Sequence, residues 1–368
     1  MRDYAINLLK RMLEIYSPSG DEENISNFLV DEMRKLGFRV KRDSVGNVIG
    51  EVGDGSPTIL LCGHMDTVSG FIPVKIEDAV IYGRGAVDAK ASLAAMIIAA
   101  STFREGKIPV KLVVAGVVDE EGKSRGIRNL LKEGISADYA IFGEPSGVDK
   151  ITIGYKGVLR LEVLCETIPG PGHSSANHLY SNAIEKAFEL WQSIRSIHFS
   201  CENPDSPFHS ITYSITKIEG GKDYSTIPSK CQINLDIRIP PQLTTNILLD
   251  KIHAVIDQFK TNNPNVIIKA KVEEAIEPIE IDPKSILVKA FSKAIREVKR
   301  KTPLLVRKTG TGDMNILGRA MQIPIITYGP GDSTLCHTEN EHIYVDEYMD
   351  GIEVYRKAIE WIVKFHSD

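Results

Sequence analysis

The stretch Ile59-Leu60-Leu61-Cys62-Gly63-His64-Met65-Asp66-Thr67-Val68 joins a short apolar run to a histidine and an aspartate. Ile59 to Cys62 has the length and composition of a strand buried on both faces, as in the parallel sheets of α/β proteins. Leu112 to Val118, Tyr139 to Phe142 and Ile323 to Tyr328 repeat the pattern. Between the first two lies Ala89 to Ala100, rich in Ala, Leu, Met and Ile, which reads as a helix. Upstream, Ile25, Phe28, Leu29, Met33 and Leu36 mark one face of a helix over residues 21–36. Ser19 and Glu22 resemble a capping box before it, and Gly37 stands where it should stop. Strands alternating with helices predict an α/β domain with a central sheet flanked by helices.

The middle of the chain reads differently. Val158 to Cys165, Ile211 to Ile218 and Cys231 to Ile239 alternate in and out like half-buried strands, and Asn182 to Ile197 and Thr244 to Lys260 read as helices. This is an α+β pattern of the size of a small inserted domain. We expect residues 158–270 to form that insertion, with 1–157 and 271–368 making one discontinuous domain around it. No internal repeat or low-complexity segment interrupts this plan.

Composition narrows the function. The chain has 368 residues, is 42 % hydrophobic and carries a formal net charge of −5, with no global basic excess that would argue for nucleic acid. The first residues, MRDYAINLLKRMLEIYSPSG, read as a helix rather than a signal peptide. No window approaches the ~20 apolar residues of a membrane span. Cys62, Cys165, Cys201, Cys231 and Cys336 are odd in number and scattered, which favours a reducing cytoplasm over a disulfide framework.

The chemistry-bearing residues fall at particular places on this map. His64 and Asp66 follow the strand ending at Cys62. Asp88 follows a Gly83-Arg84-Gly85 turn, Glu120 and Glu121 follow Val118, Glu144 follows Phe142, and His337 lies beyond Tyr328. Each is expected just past the carboxyl end of a strand, the edge at which open α/β sheets bind ligands. Alone, each would more often be structural; their joint placement makes the case. Imidazoles with carboxylates suit zinc or a neighbouring transition metal. Two histidines and three carboxylates exceed the needs of one tetrahedral ion and suffice for two ions sharing a bridge. Asp88 is the candidate bridge, and Asp66 the carboxylate that orients His64. Of the adjacent pair Glu120 and Glu121, one can bind metal while the other faces a water as general base. Cys62 and Cys336 flank the two histidines, and the preferred reading is that they are small buried residues rather than ligands.

These segments resemble a known family. Gly63-His64-Met65-Asp66-Thr67-Val68 is similar to its GHxDTV segment, and Gly83-Arg84-Gly85-Ala86-Val87-Asp88-Ala89-Lys90 to its GRGxxDxKG segment, with Ala91 in place of the last glycine. Asp119-Glu120-Glu121-Gly122 is similar to its DEE(G) segment and Gly143-Glu144-Pro145 to its G(E/D)P segment. The family is that of the dinuclear zinc hydrolases aminoacylase, acetylornithine deacetylase, succinyl-diaminopimelate desuccinylase and carboxypeptidase G. The resemblance implies a zinc-peptidase-like catalytic domain with an inserted α+β lid that also mediates dimerisation, two Zn2+ per subunit and cobalt as a substitute. It implies that His64, Asp88 and Glu144 hold one ion and Asp88, Glu121 and His337 the other. Asp66 would orient His64, and Glu120 would be the general base. Gly172-His173-Ser174-Ser175 resembles the lid motif whose histidine stabilises the oxyanion in a neighbouring active site. Arg238, Ser225 and Gly310 are the implied substrate contacts. In Ser225-Thr226-Ile227-Pro228 a serine replaces the asparagine of many relatives, so contacts from that loop are expected to differ.

Within the family, Glu14 to Glu23 and Tyr82 to Lys90 are most similar to a subgroup that releases lysine, and in archaea ornithine, from the terminal glutamate of the amino-group carrier protein LysW. An acidic carrier would need a basic surface, for which Arg296, Lys299, Arg300, Lys301, Arg307 and Lys308 are candidates; a solvated helix face is the alternative. The other substrate classes are those of acetylornithine deacetylase, succinyl-diaminopimelate desuccinylase and general exopeptidases. A catalytically dead zinc-binding or amino-acid-binding protein is the alternative from a different class.

Overall fold

A computed structural model describes residues 1–104, 106, 108–200, 203 and 205–367. Cys201 lies outside them, and among the described residues Cys62, Cys165, Cys231 and Cys336 form no disulfide. The chain forms two compact units, one of residues 1–154, 281–307 and 312–368, the other of 155–280 and 308–311.

The first unit is a mixed α/β structure. Its core strands Thr58–His64, Lys111–Val117, Tyr139–Phe142 and Ile325–Thr327 pair in parallel, with Thr58–His64 between the second and third. Val48–Val52 and Arg39–Arg42 extend the sheet antiparallel on one side, and Lys150–Tyr155 pairs antiparallel on the other. The central strands are buried almost throughout, which is why they read as unbroken apolar runs. The helix Lys90–Ser101 is buried at every position and so has no polar face. Its approach to the sheet edge depends on missing side chains. A Cβ on Gly329 would stand 2.1 Å from Ser92 Oγ and 2.7 Å from the Glu144 carbonyl oxygen. Lys90, the lysine of the Asp88 segment, donates to the carbonyls of Met12 and Ile15 at 3.0 and 2.7 Å. It thereby satisfies free carbonyls where the helix Arg2–Glu14 ends.

The expected helix over residues 21–36 forms as Glu23–Lys35. Gly37 closes it at φ +91°, with Gly37 N–H donating to Arg34 O and Phe38 N–H to Met33 O. The capping box is not made: the N-cap is Glu22, with no side-chain cap bond. Ser19 Oγ donates instead to Asp66 Oδ2 at 2.6 Å, because a buried carboxylate is the stronger acceptor.

The second unit is an antiparallel sheet ordered Thr212–Gly220, Lys230–Ile239, Gly157–Thr167, Val266–Ile276. Cys231, Ile233, Leu235, Ile237 and Ile239 alternate inward. They form a core with residues of the helices Ala183–Arg195 and Thr245–Asn262. Asn182 and Thr244 cap those helices through Ile184 N and Ile247 N. The alternation puts Asp236 and Arg238 on the opposite face; a one-residue slip would exchange the faces.

Candidate metal centre

Three strand ends deliver ligand-type side chains to one place in the first unit. Thr58–His64 ends on His64, Lys111–Val117 leads to Glu120 and Glu121, and Tyr139–Phe142 leads to Glu144. The loop beyond Ile325–Thr327 brings His337. Asp88 arrives, as its Gly83-Arg84-Gly85 turn and the helix after it imply, between a strand and a helix start. The strand before it, Val80–Tyr82, belongs to a separate small sheet with Lys75–Glu77 and His342–Tyr344. Asp88 therefore enters from the turn at the start of the helix Lys90–Ser101, not from the central sheet edge.

His64, Asp88 and Glu144 form one group and Asp88, Glu121 and His337 another, each with ligand atoms within 4.8 Å of one another. Asp88 belongs to both. Its Oδ1 lies 3.3 Å from His64 Nε2 and its Oδ2 3.2 Å from His337 Nε2. His64 Nε2 is 3.5 Å from Glu144 Oε1, and His337 Nε2 is 2.8 Å from Glu121 Oε1. One carboxylate presenting its two oxygens to two histidines is the geometry of a bridging ligand. The donor chemistry, imidazole and carboxylate without thiolate, fits two zinc-like ions. Cys62, whose thiol burial pushes up, belongs to neither group. Cys336 is likewise outside both.

The carboxylate behind His64 is anchored on several sides. Asp66 is wholly buried and accepts from Ser19 Oγ and from the backbone N–H groups of Glu120 and Glu121, both at 3.1 Å. Its Oδ1 lies 3.5 Å from His64 Nδ1, and its own carbonyl oxygen 2.9 Å from the same nitrogen. Nδ1–H is thereby oriented and Nε2 left facing the ligand space. Asp119 and His337 hold left-handed backbone at φ 63°, a strained state that clusters at functional sites and costs about 1–3 kcal/mol each.

The charges are strongly perturbed. Burial would depress the His64 imidazolium, but Asp66 and Asp88 hold it well above its ordinary value. Asp88, with Glu121, holds His337 up to about 9. Burial opposes ionisation of Asp88, and His337 and His64 overcome it, keeping the carboxyl below its usual range. Glu120 goes the other way: burial and the charge of Glu144 push it well up. Glu120 also forms a close group with His64 and Glu121, so it faces the same space. Asp313 N–H donates to Glu120 Oε1 at 3.3 Å from the start of the helix Asp313–Met321.

His173, Ser225, Arg238 and Gly310 lie in the second unit. His173 is exposed, and its Nδ1 is 2.8 Å from Ser175 Oγ. The Ser225 carbonyl accepts from Ser174 N–H, while its hydroxyl donates to Asp223. Arg238 is held by both oxygens of Asp236 and donates to Thr311 Oγ1 at 3.2 Å. Gly310 is exposed with open space around it. Of the basic residues, Lys299 pairs with Asp350 and Lys301 with Asp149, whereas Arg296, Arg300 and Arg307 are exposed. Lys308 Nζ lies 5.7 Å from the centre of the Tyr155 ring. No helix among the described residues is long and apolar enough to cross a membrane.

Asp313 and Glu341 are not marked by the sequence, and Ser19, which resembles a helix cap there, is a partner of Asp66. Asp313 is fully buried, and burial pushes its carboxyl up to about 7. Glu341, also fully buried, accepts from the turn carrying Asp88. Acidic residues in helix starts and loops are ordinarily solvated, so no pattern in the sequence separates these.

A carboxylate shared between two histidine-containing ligand groups fits the metal centre of a hydrolase, and the chain belongs to the peptidase family M20/M25/M40, whose model matches residues 60–361. It is 37 % identical over 353 residues to the [LysW]-lysine/[LysW]-ornithine hydrolase of Sulfurisphaera tokodaii, covering 96 % of this chain and 94 % of that protein. The protein of the same name from Saccharolobus solfataricus is also 37 % identical, over 98 % of this chain and 96 % of that one. Among solved structures, the aminopeptidase PepT of Bacillus cereus superposes with a TM-score of 0.82 at 22 % identity, over 98 % of this chain and 99 % of that chain, and so shares the fold.

Proposed function

We propose that this chain is a cytoplasmic homodimeric hydrolase with two divalent ions per subunit, zinc or in its place cobalt. It would release lysine or ornithine from the γ-carboxyl of the C-terminal glutamate of LysW. The observation that carries the metal chemistry is Asp88, with one oxygen toward His64 and the other toward His337. The substrate is supported by full-length similarity to the curated hydrolases of that name.

Such an ion pair, when bound, acidifies a water and polarises the amide carbonyl. The chain's own residues manage the protons. Glu120, which shares the space of His64 and Glu121, accepts one from the attacking water. It then delivers that proton to the departing amine. Asp66 keeps His64 in one tautomer. His173, from the second unit of a partner subunit, donates to the carbonyl oxygen as charge develops there. Arg238, Ser225 and Gly310 contact the substrate; Asp236 holds the Arg238 guanidinium through Nε and Nη2. The second unit serves as lid and dimerisation domain.

The test is a rate comparison on the metal-loaded protein between LysW-linked lysine, LysW-linked ornithine and N-acetylornithine. Faster release from the carrier is expected. Hydrolysis of N-acetylornithine with none from either carrier conjugate would reject the substrate. No amide hydrolysis with two ions bound would reject the enzyme.

A further inference from the structure

Glu341 is fully buried, lies in no ligand group and has no part in the chemistry above. Its surroundings are specific. Oε1 accepts three backbone N–H groups, from Gly85 at 3.1 Å, Val87 at 2.9 Å and Asp88 at 2.9 Å. Oε2 accepts from Arg84 Nη1 at 2.8 Å, and the Arg84 Nε–H donates to the Gly70 carbonyl at 2.9 Å. The Glu341 carbonyl oxygen accepts from Gly83 N–H at 3.2 Å. One residue later the strand His342–Tyr344 pairs with Val80–Tyr82, which leads into the same turn.

Three N–H groups converging on one point form an anion-binding nest. Here the chain supplies the anion itself. The bond to Asp88 N–H acts directly on the residue that bridges the two ligand groups. His337 lies four residues before Glu341 on the same stretch of chain. One carboxylate therefore ties together the loops of Asp88 and His337. A charged acceptor suits this place better than an amide: bonds to a carboxylate are roughly twice as strong as neutral ones. Burial of the charge is compensated by Arg84, whose side chain is 7 % exposed.

We infer that Glu341 is a positioning residue that sets the affinity of the metal centre, above all for the ion held by Asp88, Glu121 and His337. The inference rests on the metal-site reading and adds a determinant outside the ligand set. Replacing partners that orient a metal ligand typically weakens binding by about 10–100-fold, and Glu341→Gln is expected to do so for the second equivalent. The first equivalent, held also by His64 and Glu144, should weaken less.

The experiment titrates Co2+ into the metal-free full-length protein and follows the visible absorption of each equivalent, for wild type, Glu341→Gln and Arg84→Met. Thermal unfolding of the metal-free proteins reports folding. The expected result is two equivalents in wild type, a weakened second equivalent in both variants, and recovery of turnover to within a few-fold at saturating Co2+. A folded Glu341→Gln protein that binds both equivalents with wild-type affinity overturns the inference. If that variant does not fold, wild-type affinity in Arg84→Met overturns it. Absence of two equivalents in the wild type would instead refute the metal-site reading.

Discussion

Glu120→Gln separates the metal centre from the proton chemistry performed beside it. The replacement is isosteric, so the contacts at this position survive. An amide oxygen can still accept from Asp313 N–H, now at 3.3 Å, and the bond from residue 120 to Asp66 is made by the backbone. The ligand groups around Asp88 keep all their members. The change also removes a buried carboxylate that Glu144 disfavours, so the metal-free protein should unfold no earlier than wild type. What disappears is the proton acceptor. General-base catalysis contributes about 10²–10⁴ in rate, which at ~1.4 kcal/mol per decade is about 3–6 kcal/mol of activation free energy. The assay pairs metal analysis of the purified variant with kcat on the carrier conjugate. Expected are two ions per chain and turnover reduced by about 10²–10⁴. Turnover within threefold of wild type, with both ions bound, would refute the assignment of Glu120 as the base.

Three further outcomes follow from the same geometry. Metal binding must displace the proton that Asp88 and Glu121 hold on His337, whose pKa in the metal-free protein is about 9. The apparent affinity of the second equivalent should therefore fall about tenfold per unit as pH drops below that value; a pH-independent constant from 6 to 8 in calorimetric titrations would contradict it. Mixing His173→Ala with Asp88→Ala subunits should restore part of the lost activity if His173 acts across a dimer, and mixed dimers that form but stay inactive would remove that role. Gly329→Ala places a methyl 2.1 Å from Ser92 Oγ and 2.7 Å from the Glu144 carbonyl oxygen. Overpacking there should cost about 1–3 kcal/mol, read as an earlier thermal unfolding; an unchanged midpoint would show that the helix yields.

Much of the architecture could be read without coordinates because local physics carries it. Ile59–Cys62 and Tyr139–Phe142 are apolar at every position because strands buried on both faces have no polar side. Lys230–Ile239 alternates because one face of its sheet packs on helices while the other carries Asp236 and Arg238. Strand ends then place His64, Glu121 and Glu144 at one edge by connectivity alone. The small sheet of Val80–Tyr82 and His342–Tyr344 was hidden, since pairing over some 260 residues of chain leaves no local periodicity. With it was hidden that the strand before the Asp88 turn stands outside the central sheet.

The sequence by itself determined which side chains are of metal-binding type and near which strands they lie, because residue chemistry and hydrophobic period are local properties. Only the tertiary structure decided that Asp88 turns one oxygen to each histidine. It alone placed Ser19 on Asp66 rather than at a helix start, and Glu341 beneath the Asp88 turn. Those are long-range hydrogen bonds, made by carboxylates that burial leaves no water to solvate, and nothing in the spacing of residues records which donors will meet them.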